Sequence, residues 1–264
     1  MVQAPSQSRV ITDTLDPARA RALEATLGQT PSTNTGDPLP PFAHQIYFWD
    51  PQPDMALGQD GHATTGGFIP DLGLQRRMWA AGRLVFHTPL LAGIRAEQTS
   101  IIENVTRKTG RTGPLGFVRI RHDIRQRQSL VLSEWQELVY RAATAPPADV
   151  PIAAQDEEFR EEIQFSTTQL FRYSALTFNG HRIHYDAPYA THTENYAGLV
   201  VHGPLLAHML MALATHMLGT LRTFEYRATS PLLQHETAQL CWKAGNAWVR
   251  GPDGRQCMIA TASA

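Results

Sequence analysis

Two cysteines in 264 residues, Cys241 and Cys257, are too few for a disulfide framework, which excludes a small stapled secreted scaffold. Long apolar runs are missing as well. The longest, Pro204 to Leu218, is interrupted by His208 and His216 and falls short of the ~20 residues a membrane helix needs. The N-terminal run MVQAPSQSRVITDTLD has no apolar core of the kind a signal peptide carries, so a cytoplasmic protein with free thiols and no membrane partner is expected. Charge of one sign is not in excess: 23 basic residues face 24 acidic ones, and the net −1 provides no field to gather nucleic acid. Lysine is nearly absent, Lys108 and Lys243 being the two among basic residues that are otherwise arginine. Neither a Gly-rich dinucleotide loop nor a P-loop occurs, so no nucleotide cofactor is expected.

What is present is the 42% hydrophobic content of a globular protein, over a length that suits two domains. Asp16 can cap a helix that Pro17 opens and Gly28 stops. Segments 29–41 and 51–67, rich in Gly, Pro, Asp and Thr, read as loops, with a strand-like His44 to Trp49 between them. A second helix is expected from Pro70 or Asp71 through LGLQRRMWAAG, followed by antiparallel strands in LVFHTPLL, TSIIENVTRKTG, LGFVRIRHDIRQ and SLVLSEWQELVYR. The stretch 142–156, with Pro146 and Pro147, is the linker candidate. Beyond it the grammar repeats: a helix over 167–176, a long helix over 204–218 ending at Gly219, and strands near 222–229, 234–244 and 255–262. Pro70 and Pro204, and again Pro89 and Pro231, hold matching places, which predicts an internal duplication with halves 1–145 and 157–264. A helix apolar on most sides must be enclosed, and strands that follow it can supply a curved sheet to do so.

Of the 11 histidines, seven fall between His181 and His235. The run from Tyr173 to Ala190, YSALTFNGHRIHYDAPYA, places Asn179, His181, Arg182, His184 and Asp186 in a loop after a short helix, where polar side chains need partners or a task. His181, His184 and Asp186 are donors of the metal-binding type, but no fourth ligand accompanies them, and no metal is expected.

This run resembles the S-G-D-x-N-P-I-H signature of the MaoC-like, (R)-specific enoyl-CoA hydratases, aligned on Thr177 to His184. Together with PPFAHQIYFWDP, GGFIP, RRMWAAGRLVFH and GLVVHGPLL it is similar to the double hot-dog branch, which holds hydroxyacyl-thioester dehydratases and the hydratases of itaconyl-CoA and mesaconyl-CoA. The resemblance implies an α+β double hot-dog: two antiparallel sheets, each around a long central helix, forming a pseudo-dimer. It implies an enoyl-CoA hydratase or dehydratase with His184 on the reacting water and the Gly203 N–H holding the thioester oxygen. The N-terminal repeat has no equivalent of TFNGHRIHYD, so one catalytic half is expected, the C-terminal one, with the N-terminal half walling the acyl pocket. Asn179 stands where the family has Asp, His181 where it has Asn, and Arg182 where it has Pro. An amide cannot act as a base, so His184 must carry the proton while Asn179 orients the water.

Exchanging Asp for Asn and Pro for Arg also makes the loop more positive, which suits a carboxylate beside the reacting carbon and favours itaconyl-CoA or mesaconyl-CoA, with citramalyl-CoA as product. Substrate contacts are expected from Arg182, His181, Asp186 and His202, and from Arg76 and Arg77 at the start of the N-terminal helix. Coenzyme A enters as part of the acyl-CoA substrate, no separate cofactor is expected, and a homo-oligomer, a dimer, is anticipated. The alternatives are a hydroxyacyl-thioester dehydratase of fatty-acid synthesis, a hot-dog thioesterase, and a non-catalytic acyl-CoA-binding protein.

Overall fold

A computed structural model of the chain describes residues 7–110, 113–142 and 150–264. The expected domain boundary at 145 lies outside these residues. In the N-terminal half, β1 (Ser8–Asp13) and α1 (Pro17–Thr26) precede β2 (Arg76–Phe86), β3 (Ala96–Gly110), β4 (Gly113–Gln126) and β5 (Ser129–Arg141). The C-terminal half begins with β6 (Phe159–Ile163), α2 (Thr167–Leu176) and α3 (Gly203–Leu218). It ends with β7 (Thr223–Ala228), β8 (Ala238–Lys243), β9 (Asn246–Arg250) and β10 (Gln256–Ser263).

The strands form one ten-stranded antiparallel sheet in the order β1-β3-β4-β5-β2-β7-β10-β9-β8-β6. Reading outward from the centre, each half repeats one topology, so the duplication is real and the halves meet through β2 and β7 (Ala81 opposite Arg227, Leu84 opposite Phe224). This is the double hot-dog, with both sheets fused into one. Neither central strand is left with an open edge, which removes the hazard of unpaired sheet edges at the junction.

The helices follow their local signals. The Asp16 carboxylate accepts from Ala18 N–H at 2.8 Å to cap α1, and Ser166 caps α2 through Gln169 N–H. The long helix α3 stops at Gly219, whose φ of 84° is in the left-handed region that glycine adopts at no steric cost. Leu205, Leu206, Ala207, Leu210, Met211 and Ala214 are all buried as α3 packs on β8, β9 and β10. His208 is interior against Phe42, whereas His216 is exposed.

Two expectations fail. No central helix occupies residues 70–82, because Arg76 to Gly82 belong to β2. Its apolar residues fit either periodicity, and the strand wins because β5 and β7 each need a hydrogen-bonding neighbour at the junction. The strand expected at His44 to Trp49 is instead a 3-10 turn, Ala43–Ile46. This segment takes the helix's place in the core by burying Phe42, Ala43, Ile46, Tyr47 and Phe48. It is pinned to β5 by a buried polar contact, His44 Nε2 to Glu134 at 3.0 Å, with the Gln45 amide donating to the same carboxylate. Leu72, Ile102, Val118, Ile120, Leu138 and Tyr140 form a second, smaller core under the N-terminal strands.

At the junction, a Cβ on Gly82 would lie 2.1 Å from the Tyr226 hydroxyl and 2.6 Å from the Trp135 carbonyl oxygen. Gly82→Ala should therefore destabilise the chain by about 1–3 kcal/mol, the usual cost of overpacking. A denaturant midpoint equal to that of the parent would show that the junction is looser than this packing requires.

Candidate active site

The site is built where α2 ends. Thr177 Oγ1 donates back to the Tyr173 carbonyl at 2.7 Å, and Asn179 N–H reaches the Ser174 carbonyl at 2.9 Å. The Asn179 side-chain oxygen then accepts from His181 N–H at 3.1 Å. A single 3-10 turn, Arg182–His184, follows and sets His184 in the interior, 7% exposed.

His184 Nδ1 lies 2.7 Å from the Val200 carbonyl oxygen. A carbonyl only accepts, so Nδ1 carries the hydrogen and Nε2 is left with a free lone pair. Burial, with a smaller contribution from the charge of His62, pushes the His184 pKa down to about 4, so the ring is neutral at pH 7. Its face stacks on His202, with ring centres 3.7 Å apart, and His202 is fully buried with Nε2 2.8 Å from Ser174 Oγ. Gly203 follows as the first residue of α3. No side chain caps that helix, and its first-turn N–H groups present the positive end of the dipole. Trp79 of β2 packs against Gly203, where an added Cβ would meet the indole at 3.0 Å.

A loop of the N-terminal half completes the site. Leu57 and Ala63 form an isolated antiparallel bridge, and the turn between them lies on the loop that follows α2. The Arg182 N–H donates to the Asp60 carbonyl at 2.9 Å, and Arg182 Nη1 donates to the Gln59 carbonyl at 3.1 Å. Gly61, at φ 86°, sits so close that a Cβ there would fall 2.0 Å from the Gly180 carbonyl oxygen. The Asp60 carboxylate accepts from His62 N–H and from His62 Nδ1, both at 3.0 Å. Burial acts to raise the Asp60 pKa, but the hydrogen bonds and charge of His62 outweigh it and hold the group well below the usual carboxylate range. Burial also lowers the pKa values of His62 and His181. The rings form a row, His62 to His181 at 4.3 Å and His181 to His184 at 5.3 Å between centres.

The cations named from the sequence divide. Arg182 is paired with Asp186 at 2.7 Å and lies over the Tyr189 ring, so neither Arg182 nor Asp186 is free for the tasks expected of them. Asp186 also accepts from Tyr189 N–H and touches neither histidine through a hydrogen bond. Arg76 pairs with Glu194 at 3.1 Å. Arg77 is half-buried and its side chain has no hydrogen bond or ion pair within the described residues, while its charge reaches His62, His181 and Tyr140. Asp60, His62 and His181 present metal-type donor atoms within 4.8 Å of one another, a set of three ligands whose neighbour Arg77 opposes a cation. A hollow of about 490 Å³ between Arg83, Trp135 and Arg227 opens on the outer face of the sheet and contains none of these residues.

Asp60 and His62 had escaped the sequence reading. Their signal was the triplet Asp60-Gly61-His62, two titratable groups around a glycine, in a segment whose Gly and Pro content marked it as loop.

Residues 42–234 match the family described as hydroxyacyl-thioester dehydratase type 2. The chain is 42% identical to mesaconyl-C(4)-CoA hydratase of Chloroflexus aurantiacus over 92% of this chain and 90% of that protein. It is 29% identical to the mitochondrial hydroxyacyl-thioester dehydratase type 2 of Schizosaccharomyces pombe, over 91% and 92%. Among solved structures it is similar to a Mycobacterium tuberculosis protein described as a double hotdog fold, with TM-score 0.61 and 14% identity over 98% and 95% of the two chains. A fold, a catalytic-loop motif and a match across most of the length thus converge, and the chain belongs to the hydroxyacyl-thioester dehydratase type 2 family, enzymes that add or remove water at acyl thioesters.

Proposed function

We propose that this enzyme hydrates mesaconyl-C4-CoA, a CoA thioester with a carboxylate on the β-carbon, to citramalyl-CoA. The observation that carries the reading is Arg77, a half-buried cation of β2 whose charge reaches His62 and His181 and which has no ion pair among the described residues. It takes the role that the sequence argument gave to Arg182, whose charge is balanced by Asp186. The 42% identity to a mesaconyl-C(4)-CoA hydratase supports the same reading.

The chemistry follows from the residues. His184 Nε2 accepts a proton from water as the oxygen bonds to the β-carbon, and the π electrons move to the thioester oxygen. The Gly203 N–H at the start of α3 holds that oxygen, a kind of contact whose loss typically costs about 3–4 kcal/mol of barrier. The proton then passes from His184 to the α-carbon, which returns the ring to its neutral state. This route needs a double bond conjugated with the thioester, as in mesaconyl-C4-CoA. Itaconyl-CoA, whose double bond is one carbon further away, lacks that conjugation, so the reading narrows to the mesaconyl isomer.

Two outcomes test this. With purified enzyme and mesaconyl-C4-CoA, itaconyl-CoA and crotonyl-CoA in parallel, addition of water should be fastest with the mesaconyl thioester. Arg77→Gln should lower kcat/KM for it by about 10–100-fold, the worth of a charged hydrogen bond, while crotonyl-CoA changes little. Crotonyl-CoA hydrated equally well by the parent would replace this reading with a fatty-acyl dehydratase.

The pH dependence tests the base. His184 works when neutral, and its pKa is lowered, so rate should persist as pH falls past 6.5 and be lost through about pH 4. A pH-jump measurement of initial rate showing half-loss near 6.5 would contradict a buried, neutral His184.

A further inference from the structure

Asn179 leaves a gap in the catalytic loop. A water that is to attack carbon is best held by two acceptors, which take both of its hydrogens and leave an oxygen lone pair free for the new bond. His184 Nε2 is one acceptor. The Asn179 side-chain oxygen, in the place of the family's Asp, accepts from His181 N–H and keeps one lone pair, but it has no negative charge and is the weaker acceptor for a water hydrogen.

We infer that His62, held by Asp60, is a further catalytic residue and supplies the second acceptor for the reacting water. This rests on the hydratase reading above. The Asp60 carboxylate can only accept, so the His62 nitrogen 3.0 Å from it, Nδ1, carries the ring hydrogen. Nε2 on the far side of the ring is then a lone pair. This repeats the electronic state of His184, whose Nδ1–H is fixed by the Val200 carbonyl. The two rings flank His181, with centres 4.3 Å and 5.3 Å from it. Among the described residues the His181 ring has no hydrogen-bond partner to fix its tautomer, its backbone N–H being what engages the loop.

The Asp60–His62 pair is also firmly placed. Asp60 accepts from the backbone and the ring of His62 at once, its own carbonyl accepts from Arg182 N–H, and the Gly61 backbone lies against Gly180. Fixing a ring this way is what a carboxylate behind a histidine does in acid–base sites generally. In the step, water donates one hydrogen to His184 Nε2 and the other to His62 Nε2. The first is transferred as the oxygen bonds to the β-carbon, and returns from His184 to the α-carbon. The second stays on the new hydroxyl, hydrogen-bonded to His62, so both water hydrogens end on the product. The N-terminal half thereby contributes to catalysis, and the one-half assignment expected from the sequence is extended.

The test uses the full chain. Nitrogen-15 NMR of histidine-labelled protein should show His62 with Nδ1 protonated and a pyridine-type Nε2, and Asp60→Asn should reverse this because an amide NH₂ can donate to Nδ1. This reading needs no substrate, so it stands or falls separately from the substrate assignment. In turnover of whichever enoyl-CoA the parent hydrates, His62→Ala and Asp60→Asn should each lower kcat by about 100-fold with KM changed less than about threefold, and the double variant should be no worse than either. Retention of kcat within twofold in Asp60→Asn, or an Nε2-protonated His62 in the parent, overturns the proposal. Loss of parent activity to a chelator would assign the cluster to a metal and overturn it too.

Discussion

The close approach of Gly61 to Gly180 is the contact on which the site depends. Two backbones meet there with no room for a side chain on Gly61, and the Arg182 N–H to Asp60 carbonyl bond, 2.9 Å, locks the register. The titratable cluster lies within a few residues of that contact: Asp60 and His62 on one side, His181 and His184 on the other, with Asn179 beside them. A backbone contact of this kind fixes both loops without spending any of the side chains that the chemistry needs.

The fold makes this contact possible by fusing the two halves along β2 and β7. That junction sets Trp79 against Gly203, and the strand that carries Trp79 also carries Arg76, paired with Glu194 of the other half, and Arg77, whose charge reaches His181. The duplication has diverged in one consequential respect. The C-terminal half has an enclosed helix, α3, whose first turn has no side-chain cap for its N–H groups. In the N-terminal half a 3-10 turn is buried in the core instead, and the loop that carries Asp60 and His62 lies between that turn and β2.

Much of this was legible in the sequence. Asp16, Pro17, Gly203, Pro204 and Gly219 announce the ends of α1 and α3, because caps and breakers act within a turn of where they sit. The alternation in β3, β4 and β5 is equally local, and the run around His184 is legible through its resemblance to a family signature. What stayed hidden is non-local. Whether Arg76 to Gly82 coil or extend is decided by β5 and β7, which come much later in the chain. Asp186 spends the charge of Arg182, a partnership that the i,i+4 spacing permitted without requiring. Asp60 and His62 gain meaning from Gly180, about 120 residues away, and nothing in their own neighbourhood predicts it.

The central claim is that both halves build one site through the Gly61 contact, and Gly61→Ala tests it most directly. The added methyl cannot share space with the Gly180 carbonyl oxygen, and the φ of 86° adds strain. Circular dichroism and the thermal midpoint should stay close to those of the parent, since the loop carries little of the core, while kcat for the enoyl-CoA should fall at least tenfold. Full turnover by a folded Gly61→Ala protein would mean that the N-terminal loop can stand off from His184 without consequence, and would contradict the account.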